Sequence, residues 1–167
     1  MMAAAEMVFW LLTAATLQAL LPTWGHLGEP EFPVLLGVVL YVAVHKKPRH
    51  FLWTATVAGV LDDALSLAPL GYSSMAFMAA GGLAMVLRED FDPNKATVAI
   101  WLGGLCSAVT TGVMALLLKW KGLTALPLGR IVERMAGSAL LGAVLIPVLF
   151  AVLRGMERRL GTLEERI

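Results

Sequence analysis

Two adjacent acidic residues are the most informative chemical feature of the sequence. Asp62 and Asp63 interrupt an apolar stretch that begins at Phe51, directly after a basic segment. If this stretch enters a bilayer as a helix at Phe51, a rise of ~1.5 Å per residue places the two carboxyl groups ~17–18 Å deep. An ionised aspartate at the centre of a bilayer costs roughly 2.5–3.5 kcal/mol on insertion scales. Acids at that depth indicate a functional role. The alternative is a helix that ends early, with the acids capping a loop at the outer surface.

Asp63 belongs to a polar face of small residues. On a helix this face holds Thr56, Gly59, Asp63 and Ser66, whose spacings of three, four and three residues keep them on one side. Such a face suits a protein interior or the groove for a partner helix better than it suits lipid. We therefore predict that these four residues are interaction sites. Proton or ion transport is not favoured, because no second acid or histidine lies deep in another apolar run.

Motifs for catalysis or cofactor binding are missing from the sequence. It contains no nucleophile–base pair, no metal-ligand spacing and no phosphate loop. The segment 88–95 begins like a calcium loop, but Lys95 stands where the turn glycine belongs. A single cysteine, Cys106, excludes an internal disulfide and a cysteine-rich metal site. We expect no enzymatic activity, no metal and no cofactor.

A later apolar run carries small residues at helical spacing, of which Gly103, Gly104, Ser107 and Ala108 are the second set of predicted interaction sites. They form two adjacent ridges: Gly103, Ser107 and Thr111, and beside them Gly104, Ala108 and Gly112. Small residues let helix backbones approach closely, and close packing drives helix association in lipid. The partner of these ridges is either another helix of this chain or a helix of another subunit.

Composition identifies the environment in which these residues work. The chain has 167 residues, of which 59% are hydrophobic and 15% charged, and its mean hydropathy is +0.79. A soluble domain has about 25% charged residues, so this chain has too few polar side chains to cover a soluble core. The net charge of +1 gives no electrostatic footprint for nucleic acid. The sequence predicts an integral membrane protein.

Six runs without charge give the expected layout. They are Met7–Gly28, Phe32–Val44, Phe51–Leu61, Ala64–Leu87, Ala96–Leu118 and Met135–Leu153. A membrane-spanning helix needs ~20 apolar residues. The second run is short and crosses only if its ends snorkel or the bilayer thins. The third and fourth runs are separated only by Asp62 and Asp63 and are counted as two helices that turn near Pro69. We therefore predict an all-α bundle of six transmembrane helices over residues 1–153.

Charge predicts the orientation of this bundle. Nine of the 13 Lys and Arg residues lie in three segments on one side of the six-span layout. The positive-inside rule therefore places both termini in the cytoplasm. The loop between the fifth and sixth spans disagrees, since the other four cations flank it.

Residues 154–167 form a predicted short cytoplasmic amphipathic tail. Its apolar residues, with the last residue of the sixth span, follow heptad spacing: Leu153, Met156, Leu160, Leu163 and Ile167. Such a helix lies on the membrane surface or docks onto a cytoplasmic partner.

The middle of the chain resembles the MreD family, membrane proteins of the bacterial rod-shape machinery. The resemblance covers roughly Glu29–Leu87: Pro33 before an apolar run that ends at Tyr41, a short basic turn, the segment 59–63 with the sequence Gly-Val-Leu-Asp-Asp, and then Leu70-Gly71. In this register Asp63, and not Asp62, takes the place of the family's aspartate.

The resemblance implies a non-enzymatic subunit of the cell-elongation complex in the bacterial cytoplasmic (inner) membrane. Such a subunit binds MreC, and through MreC the MreB filament, RodA and an elongation penicillin-binding protein, so that lateral peptidoglycan synthesis and cell shape are controlled. Membrane lipids are its other expected partners, and nucleic acid is not one.

The MreD family is also similar in fold to the S components of energy-coupling-factor vitamin transporters. That similarity implies a compact bundle and gives the alternative function, a substrate-binding subunit of a vitamin transporter. The small residues Ala15 and Ala19 favour it slightly, because S components dock through such ridges. An aromatic and polar set that could hold a vitamin is missing from the outer half of the chain.

Overall fold

The computed structural model of the chain describes residues 10–18, 33–66, 69–88, 95–122 and 127–160. In these ranges the protein is entirely helical, without strands. Its helices are α1 (residues 10–18), α2 (Val34–His45), α3 (Pro48–Ser66), α4 (Tyr72–Leu87), α5 (Ala96–Trp120) and α6 (Leu128–Leu160). The all-α class predicted from the sequence is confirmed.

α2 is the buried centre of the bundle. Every residue from Val34 to Val44 is buried, and α3, α4 and α6 all pack against it. A helix that is apolar on all sides is stable only when it is enclosed in this way. With 12 residues it is about 18 Å long. It is therefore shorter than the hydrocarbon core of a bilayer, which is ~30 Å thick.

The C-cap residue of α4, Arg88, binds the C-terminal end of α2, which is the end predicted to face the cytoplasm. The Arg88 Nη1 donates hydrogen bonds to the carbonyl oxygens of Ala43, at 2.9 Å, and Lys46, at 3.3 Å. The last carbonyls of a helix have no partner within the helix and carry partial negative charge. A guanidinium group supplies these carbonyls with both hydrogen-bond donors and a positive charge, and it joins the ends of α2 and α4.

α5 and α6 form a long antiparallel pair. Within the described residues, they are the helices long and apolar enough to cross a membrane, over Thr97–Trp120 and Leu128–Met156. α2 and α4 are shorter apolar helices, and α3 carries the two aspartates. In the part of the chain that the structure describes, two of the six predicted spans are thus long and apolar enough to cross a membrane, and the six-span arrangement remains a prediction.

The turn between α3 and α4 lies where the sequence placed it. Gly71 has φ of +97°, a left-handed conformation that glycine adopts without strain. It brings the chain back antiparallel at Tyr72. At the other end of the sequence, α6 continues without a break across the predicted domain boundary at residues 153 and 154. Residues 161–167 of the predicted tail lie outside the described ranges.

Candidate functional site

The Asp63 carboxylate caps the N-terminus of α4. Asp63 lies in the last turn of α3 and is 1% exposed. Its Oδ2 accepts a hydrogen bond from the Gly71 backbone N–H, and its Oδ1 accepts one from the Ser73 N–H at 2.9 Å. The first N–H groups of a helix have no intrahelical acceptor and carry partial positive charge. The Asp63 side chain at this point accepts hydrogen bonds from two of these donors.

α4 depends on a cap from elsewhere because of its own sequence. Its N-cap residue is Gly71, which has no side chain to accept a hydrogen bond. The usual caps, Ser, Thr, Asp and Asn, carry that acceptor themselves. Here the acceptor comes from α3, so one carboxylate caps α4 and also locks the α3–α4 hairpin.

Asp62 belongs to a second connection, which includes α1. The Asp62 Oδ1 accepts a hydrogen bond from the Gln18 Nε2 at 2.7 Å. The Gln18 Oε1 accepts one from the Leu35 backbone N–H at 3.1 Å. Leu35 is the second residue of α2, whose N-cap is Pro33, a residue without a side-chain acceptor. The amide of Gln18 therefore joins α1, the start of α2 and Asp62 on α3.

Among the other predicted residues of the α3 face, Gly59 faces α4, whereas the Thr56 side chain faces outward. A Cβ atom on Gly59 would collide with the backbone of Ser74, so α3 and α4 are in close backbone contact there. The Ser74 hydroxyl donates to the Thr56 carbonyl at 3.2 Å. The Thr56 side chain itself is exposed and donates to the Leu52 carbonyl of its own helix at 2.9 Å.

The geometry of a helix explains this division. At about 100° per residue the four predicted positions cover an arc of roughly 80°, with Thr56 at one edge and Ser66 at the other. Gly59 and Asp63, inside the arc, face α4. Ser66 is half-buried and donates to the Asp62 carbonyl at 2.9 Å.

The predicted small-residue sites of α5 pack against α6 within this chain. A Cβ atom on Gly103 would lie 2.5 Å from the Gly142 carbonyl oxygen. Ser107 is buried and lies beside Gly142, since a Cβ atom added to Gly142 would collide with the Ser107 hydroxyl. A Cβ on Gly104 would lie 3.2 Å from the Ala139 carbonyl oxygen, and Ala108 is half-buried. The sequence left open whether these ridges pack against a helix of this chain or of another subunit. In the structure they pack against α6 of the same chain.

Reasoning from the sequence alone missed Gln18, Ser73 and Arg88. A signal was present for Gln18, the single glutamine of the chain, because it lies within the first apolar run. Its partner Asp62 is 44 positions away, and no local spacing reveals such a pairing. Ser73 contributes its backbone N–H, so its side-chain type gives no signal of this role.

This arrangement holds helices together. Both carboxylates already accept hydrogen bonds from protein donors, and the described residues include no group of three or more His, Cys, Asp or Glu that could hold a metal ion. The geometry is that of a polar cluster that joins Gln18 of α1, the start of α2 and the start of α4 to α3.

Comparison with known proteins agrees with the resemblance noted in the sequence. A family model described as rod shape-determining protein MreD matches residues 3–156. The match extends on both sides of the segment 29–87 that carries the resemblance. Neither the curated proteins nor the solved structures gave a significant match to the chain.

Proposed function

Because the chain belongs to the MreD family of rod shape-determining membrane proteins, we propose that it is a non-enzymatic subunit of the bacterial cell-elongation complex. In this proposal it binds MreC, and through MreC it is connected to MreB, RodA and an elongation penicillin-binding protein. The assembly organises lateral peptidoglycan synthesis and thereby cell shape. The observation that supports this most strongly is the family match over residues 3–156.

We further propose a multi-pass arrangement in the cytoplasmic membrane with both termini in the cytoplasm. The positions of the Lys and Arg side chains support this orientation. The hydrogen bonds from Arg88 to Ala43 and Lys46 show that the C-terminal ends of α2 and α4 lie on one side of the bundle. Lys47 and Arg49 follow at the start of α3 on that same side. An excess of Lys and Arg is typical of the cytoplasmic side.

The role proposed for Asp63 in partner binding is indirect. Its carboxylate is buried and occupied by two backbone donors, so it acts by holding the α3–α4 hairpin in one shape. Gly59, Gly103 and Ser107 act in the same indirect way, since each lies at a contact between helices of this chain. Their substitution alters the surface that a partner meets without removing a direct contact.

The proposal is tested by purification of a tagged copy from its native membranes in mild detergent, followed by mass spectrometry of the proteins that come with it. Recovery of MreC, RodA and the penicillin-binding protein is expected. Recovery of paired ATPases with a T-type membrane subunit would contradict the proposal and indicate the vitamin-transporter alternative.

A further inference from the structure

The outward surfaces of the helices differ in apolar length, and α5 provides the longer one. Trp101 and Trp120 on α5 are 82% and 85% exposed. The two residues are 19 positions apart, which corresponds to about 29 Å along a helix. This length matches the ~30 Å hydrocarbon core of a typical bilayer. Exposed tryptophans at both ends are typical of side chains at the two membrane interfaces.

The outward surface of α3 and α4 is shorter. On α3 the exposed Trp53, which is 72% exposed, and Ser66 at the end of the helix are separated by about 20 Å. On α4, Tyr72 and Arg88 are separated by about 24 Å. The large exposed side chains between these limits are apolar: Val60, Leu65, Met75 and Val86.

We propose that α3 and α4 hold the bilayer beside them roughly 5–10 Å thinner than the bilayer beside α5, a difference that follows from the helix rise. The inference rests on the multi-pass arrangement proposed above. The occupant of the α3–α4 outer surface is a strip of phospholipid whose acyl chains are short or compressed.

Short helices have few other ways to fit a bilayer. Tilt shortens the span of a helix and cannot lengthen it, so a short span is matched by thinning, by snorkelling of flanking side chains or by association. At the end of α3 that carries the acids, Asp62 and Asp63 are buried and held by Gln18 and by the N-terminus of α4, so neither carboxyl group extends to a more distant interface. At the C-terminal end of α4 the Arg88 guanidinium is bound to α2, and the exposed Lys47 and Arg49 at the start of α3 are the charged side chains on this side that can snorkel.

Nitroxide labels at both ends of α3 test the proposal. In the full-length chain with Cys106→Ala, single cysteines replace Leu52 and Leu65, which are both exposed and about 20 Å apart along the helix. The purified protein is reconstituted in dioleoyl phosphatidylcholine vesicles. Accessibility to oxygen reports hydrocarbon, and accessibility to a polar nickel complex reports water. A flat bilayer with a ~30 Å core cannot leave both ends at an interface.

Thinning predicts that both end labels are more accessible to nickel than to oxygen. A label at Val60, in the middle of α3, and control labels at Leu105 and Leu116 of α5 are expected to show the reverse order. If Leu52 or Leu65 is as oxygen-accessible as the α5 controls, the thinning is wrong and the multi-pass arrangement stands.

Two other outcomes also overturn the inference and are distinguishable. Nickel accessibility at Val60 would place α3 outside the hydrocarbon and would contradict the multi-pass arrangement itself. Low accessibility to both reagents along α3 would mean that a second copy of the chain, and not lipid, covers this surface.

Discussion

Both hairpins of the bundle have close glycine contacts, at Gly59 in α3–α4 and at Gly103 and Gly142 in α5–α6, but they differ in the polar bonds beside them. In α3–α4 a buried carboxylate accepts hydrogen bonds from the N-terminus of the next helix. In α5–α6 glycines bring two backbones together, and an added Cβ on Gly103 or Gly142 would meet the opposite carbonyl oxygen at 2.5 or 2.6 Å.

The difference follows from helix length. Lipid gives little hydrophobic drive for helix association, so contacts come from packing and polar bonds. The α5–α6 pair is long, with 25 and 33 residues, and gains from close packing along many turns. The α3–α4 pair has 19 and 16 residues and adds to its close contact at Gly59 the bonds of a buried carboxylate at its turn. We expect substitutions to affect the two hairpins in different ways.

The largest loss of stability is expected for Gly142→Leu. The new side chain would meet the Gly103 carbonyl and the Ser107 hydroxyl, which are backbone and buried groups that cannot move aside. Overpacking of this kind costs about 1–3 kcal/mol, and sometimes more. The free energy of unfolding in mixed detergent micelles measures it. Gly155→Leu is the matched control on the same helix, since a Cβ there meets nothing within 4 Å. Equal stability of the two variants would contradict the close α5–α6 contact.

Asp63→Leu is expected to have the next largest effect. It leaves the part-buried Gly71 N–H and the buried Ser73 N–H without their acceptor, and the one buried donor costs about 1–3 kcal/mol when it is unsatisfied. Asp63→Asn keeps one side-chain oxygen and should lose less than Asp63→Leu. Both variants should still insert into the membrane. The same unfolding measurement tests this order, and Asp63→Leu with wild-type stability would show that the carboxylate does not hold α4.

A smaller effect is expected for Gln18→Leu. The change removes two hydrogen bonds, the one that Gln18 donates to Asp62 and the one that it accepts from the Leu35 N–H. Each contributes about 0.5–1.5 kcal/mol, and because both are part-buried we expect the lower end of that range. Asp62→Leu should be non-additive with Gln18→Leu, because the two side chains share one bond. A double-mutant cycle measures the coupling. Strict additivity would argue against the bond.

The smallest effect is expected for Thr111→Val. It removes the hydrogen bond that the Thr111 hydroxyl donates to the Ser138 Oγ at 2.8 Å and leaves the glycine contacts intact. Hydrogen bonds between membrane helices average about 0.6 kcal/mol. A loss of stability greater than that of Gly142→Leu would reverse the view that close packing, and not polar bonding, holds α5–α6.

Much of the local structure could be predicted because it depends on local patterns. Apolar runs gave the helices, and Pro69 with Gly71 gave the α3–α4 turn. The four-residue spacing of Gly103 and Ser107 gave a packing face. None of these patterns identifies the helix against which a given face packs. Whether α5 packs against α6 or against another subunit was therefore not predictable from the sequence.

The candidate site was predictable only in part. The position of Asp63 among apolar residues marked it as important. Its role depends on the backbone N–H groups of Gly71 and Ser73, and a backbone group has no signature in the sequence. Asp62 pairs with Gln18 across 44 positions. Such contacts are set by how α1, α2 and α4 pack around α3, which spacing along one helix cannot show.

The most direct test of the account is the amount of MreC that co-purifies with the wild-type chain, with Asp63→Asn and with Asp63→Leu, at equal abundance of the three proteins in the membrane. If the Asp63 cap fixes the shape that MreC recognises, recovery should fall in that order, and loss of rod shape in the cells should follow the same order. Equal recovery of MreC with all three proteins, with rod shape kept, would contradict the role of Asp63. Absence of MreC from the wild-type preparation would contradict the proposed function.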